Sequence, residues 1–184
     1  SWTEDDEFHN LWAGLLVSGS SVDGRSDENL VFMNLLRQLS SMEVRLIKLA
    51  VENAELVGLD EDLVAALNLR VSTSDLCKYF GAEAVRVDRE LDHLRMMGLI
   101  NGGVNAMMPK TVDLQPTALS IQLFVRGCGS KESPIGFYKL TSEHARHIGL
   151  TMSPLDRFMK LGDSGEWIRT RYEMRDGARV EVVV

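Results

Sequence analysis

Residues 84–100, AVRVDRELDHLRMMGLI, constrain the fold more than any other stretch of the chain. Ala84, Val87, Leu91, Leu94 and Met97 recur at three- and four-residue spacing, so a helix gathers them on one face. Arg86, Arg89, Glu90 and His93 fall on the other. Gly98 suits the end of that helix, and the apolar pair Leu99-Ile100 follows at once. A short helix is predicted ahead of it over Thr73–Phe80, with Thr73 or Ser74 as N-cap. The glycine-containing stretch NGGVNAMMPKTVDLQ comes after it. Two helices followed by such an excursion give the order of a winged-helix module. Residues 84–97 then take the recognition-helix position, and the wing needs strands near 99–101 and 111–114.

The residues upstream read as helices. Phe8, Leu11, Trp12, Leu15 and Leu16 make an apolar stripe over residues 5–18, with the acidic cluster Glu4–Glu7 at the helix N-terminus, where the dipole favours negative charge. Residues 18–27 are a loop by composition, and a second helix covers about 28–39. Ser40 and Glu43 form an S-x-x-E capping box that opens a third helix over 41–57, with Gly58 closing it. LDEDLVAAL then reads as a short helix and LRVS as a short strand. Asp60, Glu61 and Asp62 make a solvated turn.

Downstream, Pro116 at the first position and Gly127 at the end favour a helix for PTALSIQLFVRG, although its alternating apolar residues also fit a strand. Two further short helices are expected at 142–149 and 154–161. WIRTRYEM and ARVEVVV then flank a turn at Arg175-Asp176-Gly177. A two-residue loop would set Tyr172 opposite Glu181. A three-residue loop with Gly177 left-handed sets Tyr172 opposite Val180 and Arg171 opposite Glu181, which matches both faces and is the expected register. The expected fold is therefore mainly α with small β. An N-terminal helical segment (1–58) packs on a winged-helix-like module (59–129), followed by C-terminal helices and a β-hairpin (130–184).

Charge bears on partners. The net charge is −7, and the acidity is concentrated at the start. Residues 1–28 hold seven acidic residues against one arginine, while 29–126 hold twelve acidic and ten basic. The helix–helix–wing region is thus near neutral, so DNA is possible but not favoured as a partner. Two cysteines are too few for a disulfide framework and fit a reducing cytoplasm. Cys77 reads as a small buried hydrophobe and Cys128 as lying at a helix end. No apolar run approaches the ~20 residues that span a bilayer, and SWTEDDEF lacks the features of a secretory signal.

No motif identifies a reaction. His144 and His147 lie three apart without a clear third metal ligand, Gly102-Gly103 is not followed by a P-loop pattern, and no nucleophile elbow is present. No catalytic residue, cofactor, metal or small-molecule ligand is therefore expected. Trp12 with Leu15 and Leu16 reads as packing core rather than a partner-binding stripe. Arg86, Arg89 and His93 are the candidate nucleic-acid-binding residues, against a plain solvated face that also carries Asp88, Glu90 and Asp92.

Four features together resemble one known family. They are the acidic stretch Asp5–Glu7, the run Trp12-Ala13-Gly14-Leu15-Leu16, the turn Leu39-Ser40-Ser41-Met42-Glu43, and Leu91-Asp92-His93-Leu94-Arg95-Met96-Met97-Gly98-Leu99-Ile100. Over about residues 5–100 the chain is similar to the abortive infection alpha family of bacterial proteins, some of them linked to phage resistance. Family members carry more sequence before the acidic stretch, so the chain is expected to be part of a longer parent. The resemblance supplies no catalytic residues. It implies a non-enzymatic, phage-defence-associated cytoplasmic protein acting through a protein partner or as a homo-oligomer. A winged-helix regulator that binds DNA as a dimer is the alternative.

Overall fold

The computed structural model describes residues 2–19, 28–59, 63–105, 108–140, 157–175 and 178–183. Helices α1 (Trp2–Gly19), α2 (Glu28–Leu36) and α3 (Ser41–Asn53) come first, and α1 packs on both of the others and on α6 (Ala118–Gly127). Leu15 is fully buried in this layer and Phe8, Leu11 and Trp12 are half-buried, as packing core requires, whereas Leu16 points to solvent. Glycine decides how closely α1 and α6 approach. A Cβ on Gly14 would lie 1.6 Å from the Gly127 carbonyl oxygen, so backbone meets backbone there. A buried amide ties α1 to α2. Asn29 Nδ2 donates to the Leu15 carbonyl at 2.9 Å and to Ser18 Oγ at 2.8 Å.

The Ser40–Glu43 capping box is formed and opens α3 as expected. The helix stops at Asn53 rather than at 57, because Ala54 turns extended. Strand β1 (Leu56–Gly58) pairs antiparallel with β2 (Val64–Ala66), which stands where a helix was expected. Val57, Val64 and Ala66 are buried in this ribbon. Pairing across the turn thus overrides the helical pattern of the surrounding residues. Asp60, Glu61 and Asp62 lie outside the described residues.

Next come β3 (Arg70–Ser72), α4 (Thr73–Phe80), α5 (Ala84–Met96), β4 (Val104–Asn105) and β5 (Met108–Asp113). The bounds of α4 are those read from the sequence. Its N-cap is Ser72, one residue ahead of the candidates. Val87, Leu91 and Leu94 are buried along α5, Met97 is half-buried and Ala84 is exposed. Gly98 closes the helix left-handed at φ 69°, and the Leu99 N–H returns to the Leu94 carbonyl at 2.9 Å. The two hairpin strands are displaced from their expected positions. Ile100 makes only an isolated bridge to Pro116, which occupies Pro116 outside the helix and leaves Thr117 as the N-cap of α6, its Oγ1 accepting from the Ser120 N–H at 3.2 Å. Helix α6 forms as expected, but its caps are Thr117 and Cys128, with Pro116 ahead of the helix and Gly127 its last residue. Helix α7 (Pro134–Tyr138) follows it.

The last three strands are β6 (Arg157–Leu161), β7 (Trp167–Arg175) and β8 (Ala178–Val183), in a six-stranded sheet of order β4-β5-β3-β6-β7-β8. A helix was expected over 154–161. Residues 157–161 are instead a strand, parallel to β3 and antiparallel to β7, with Met159 fully buried. As a helix they would leave β7 and β8 a lone hairpin, which is marginal in water. The Leu161 N–H also reaches the Asp75 carboxylate on α4 at 3.3 Å, and Trp167 packs at a tilt against Tyr79 with ring centroids 5.2 Å apart. The hairpin register also departs from expectation. Tyr172 faces Glu181 and Arg171 faces Val182, so two residues, not three, separate the strands. Val180, Glu181 and Val183 are all exposed. Burial of these residues therefore does not select the three-residue loop, and the two-residue connection sets the pairing. The helix expected at 142–149, with His144 and His147, lies outside the described residues.

Candidate functional site

The polar side of α5 meets the N-terminus of α3, and a chain of side chains joins the two helices. Within the capping box, the Glu43 N–H donates to Ser40 Oγ at 3.2 Å and the Ser40 N–H donates to Glu43 Oε2 at 2.6 Å. A capping-box glutamate usually faces water. This one is 2 % exposed, so its charge needs partners. Its other oxygen, Oε1, lies 2.5 Å from His93 Nδ1 on α5. Ser40 Oγ in turn donates to Glu90 Oε2 at 2.8 Å. Arg89 Nη2 sits 3.0 Å from Glu90 Oε1, and Arg86 Nε sits 3.9 Å from it.

Burial pulls the Glu90 carboxyl upward. Hydrogen bonds from Ser40 and Arg89, with the charges of Arg89 and Arg86, outweigh that and hold it below the usual glutamate range. Ser40 Oγ thus donates to one carboxylate and accepts from an amide, fastening the two helices.

The structure therefore separates the three candidate residues. Arg86 and Arg89 remain outward, with side chains 59 % and 72 % exposed, each beside the Glu90 carboxylate. His93 is 42 % exposed and turned back onto Glu43. Sequence reasoning missed Glu43 as the partner of His93, and Glu90 as the partner of Ser40 and the two arginines. Glu90 carried a readable signal, since it lies three residues after Val87 and four before Leu94, on the edge of the buried stripe. Glu43 carried none beyond its capping role, because its contact is with a residue 50 positions away.

A shallow pocket of about 350 Å³ adjoins this network, lined by Ser40, Ser41, Met42, Arg45, Phe80 and Arg86. The Arg45 guanidinium lies over the Phe80 and Tyr79 rings, 4.9 and 5.5 Å from their centroids. Arg86 on this pocket also faces the Glu90 carboxylate, which shares Ser40 with Glu43. Another pocket, of about 510 Å³, opens among α2, α6 and α7 beside Arg126 and Glu132. Among the described residues, no three of His, Cys, Asp or Glu are placed to share a metal, and Cys77 and Cys128 are both free thiols, Cys77 half-buried and Cys128 exposed. None of the described helices is long and apolar enough to cross a membrane.

Residues 1–112 match the family described as abortive infection alpha. The chain belongs to the abortive infection alpha family. The match takes in α1 to α5 and every residue of the Ser40–Glu43–Glu90–His93 network. No match is found among curated proteins or among solved structures. In this member of the family, then, the matched region includes the clasp between the capped start of α3 and the polar side of α5.

Proposed function

We propose that this abortive infection alpha protein is non-enzymatic and acts in the cytoplasm, in phage defence, through contact with a protein partner or with itself. The observation that carries this reading is the use made of the α5 polar side. Glu90 and His93 are spent on holding α3, and the cations that stay outward, Arg86 and Arg89, each sit within 4 Å of a carboxylate. A helix that reads duplex DNA offers uncompensated cations to several phosphates. Here the local charge is nearly cancelled. Free thiols in both cysteines support a reducing compartment.

The second reading, a winged-helix regulator, draws support from the order of β3, α4, α5 and the β4–β5 hairpin and from the exposure of Arg86 and Arg89. Titration of the protein into fluorescent duplex DNA, followed by anisotropy at low and moderate salt, separates the two. The protein-contact reading expects no binding even at low salt. Binding that falls steeply with salt and disappears in Arg86→Ala/Arg89→Ala would overturn it in favour of the regulator.

A further inference from the structure

The two ends of the six-stranded sheet are built differently. At one end, β4 is two residues long and its register with β5 shifts through a bulge, both of which blunt an edge. At the other end, β8 runs for six residues without proline or glycine and, among the described residues, pairs only with β7. Val180 and Val183 are exposed on it, and Glu181 reaches back across β7 to Lys160 at 2.6 Å. An edge of this length, with its outer backbone groups unpaired among the described residues and neither proline, glycine nor a bulge to interrupt it, is a template for another strand.

We propose that β8 pairs antiparallel with β8 of a second copy of this chain, joining the two sheets across a twofold axis. The inference rests on the protein-contact reading above and names the partner. The sequence of the strand, Ala-Arg-Val-Glu-Val-Val, selects both occupant and register. With the axis at Val180, Ala178 lies opposite the partner's Val182, and Arg179 lies opposite the partner's Glu181, twice by symmetry. With the axis at Glu181, two glutamates would face each other, which disfavours that register. Residues directly opposite in a ladder share a face, so this register places the partner's Arg179 on the face where Lys160 meets Glu181.

The test is a charge exchange read by sedimentation. The wild-type chain is expected at twice 20.6 kDa as its concentration rises. Arg179→Glu and Glu181→Lys, each alone, set like charges opposite one another and weaken dimerisation by about tenfold or more. An equimolar mixture of the two variants restores the dimer, because each substituted position then faces an opposite charge. Circular dichroism of each variant checks that it is folded, and Arg179→Glu leaves the Lys160–Glu181 pair untouched. A wild-type monomer at all concentrations overturns the inference and leaves the search for another protein partner open. A dimer that neither substitution weakens places self-association on a different surface. Weakening without rescue on mixing refutes the register.

Discussion

Substituting Gly14 by alanine sets two physical effects against each other with opposite signs. Inside an exposed helix the change stabilises by about 1 kcal/mol, because alanine is the better helix former. At Gly14 the new Cβ would stand 1.6 Å from the Gly127 carbonyl oxygen and 2.9 Å from the Gly129 nitrogen. Ordinary carbon–oxygen contact begins at about 3.3 Å. Helices α1 and α6 must therefore part by roughly 1.7 Å, a gap that neither backbone can absorb by a rotamer change. Leu15 on α1 and Ile121 on α6, both fully buried, lie in the layer that would open. Overpacking of this kind costs about 1–3 kcal/mol. Near the top of that range, the loss exceeds the propensity gain by about 2 kcal/mol. For a chain of this size that lowers Tm by about 4–8 °C. Thermal unfolding followed by circular dichroism measures it. Gly136→Ala on α7, whose Cβ would meet nothing nearer than 3.5 Å, is the control and is expected to be neutral or slightly stabilising. A Gly14→Ala protein as stable as the wild type would refute the close approach of α1 and α6.

Two further outcomes follow from the polar contacts. Glu90→Gln removes the charge that Ser40, Arg89 and Arg86 hold, and should cost about 1–2 kcal/mol near neutral pH. Because the native carboxyl titrates below its unfolded value, the wild type holds this stability above the unfolded pKa and loses it as pH falls through the native one. Urea midpoints of wild type and variant should therefore converge on acidification, and a difference that persists unchanged in acid would count against an ionised Glu90. Asn29→Ala strips the Leu15 carbonyl and Ser18 hydroxyl of a buried donor and should cost about 1–3 kcal/mol, with hydrogen exchange rising first at the end of α1.

The parts legible in the sequence were those set by neighbours along the chain. Thr73–Phe80 was read to the residue, α5 was placed by its stripe and its left-handed Gly98, and the start of α3 was given by Ser40 and Glu43. The parts that were not legible depend on distant partners. Residues 157–161 are a strand because β3 and β7 lie on either side of them, which no local pattern conveys. The hairpin register departs from the matched-face pairing because Val180, Glu181 and Val183 are exposed, so their burial does not enforce it. At the candidate site the outward arginines were found from spacing alone, whereas the His93–Glu43 contact depended on how α5 crosses α3.

Strand β3 joins stretches of chain that leave the ribosome at different times. Its antiparallel neighbour β5 is complete at Asp113, but its parallel neighbour β6 begins only at Arg157. At ~5–20 residues per second, that interval lasts about 2–9 s. For that time β3 has one filled side and one vacant side, at the centre of the future sheet rather than at its rim. Any extended segment, from this chain or a neighbouring nascent one, can compete for the vacant side, so accurate assembly becomes a matter of timing during synthesis as well as of final stability.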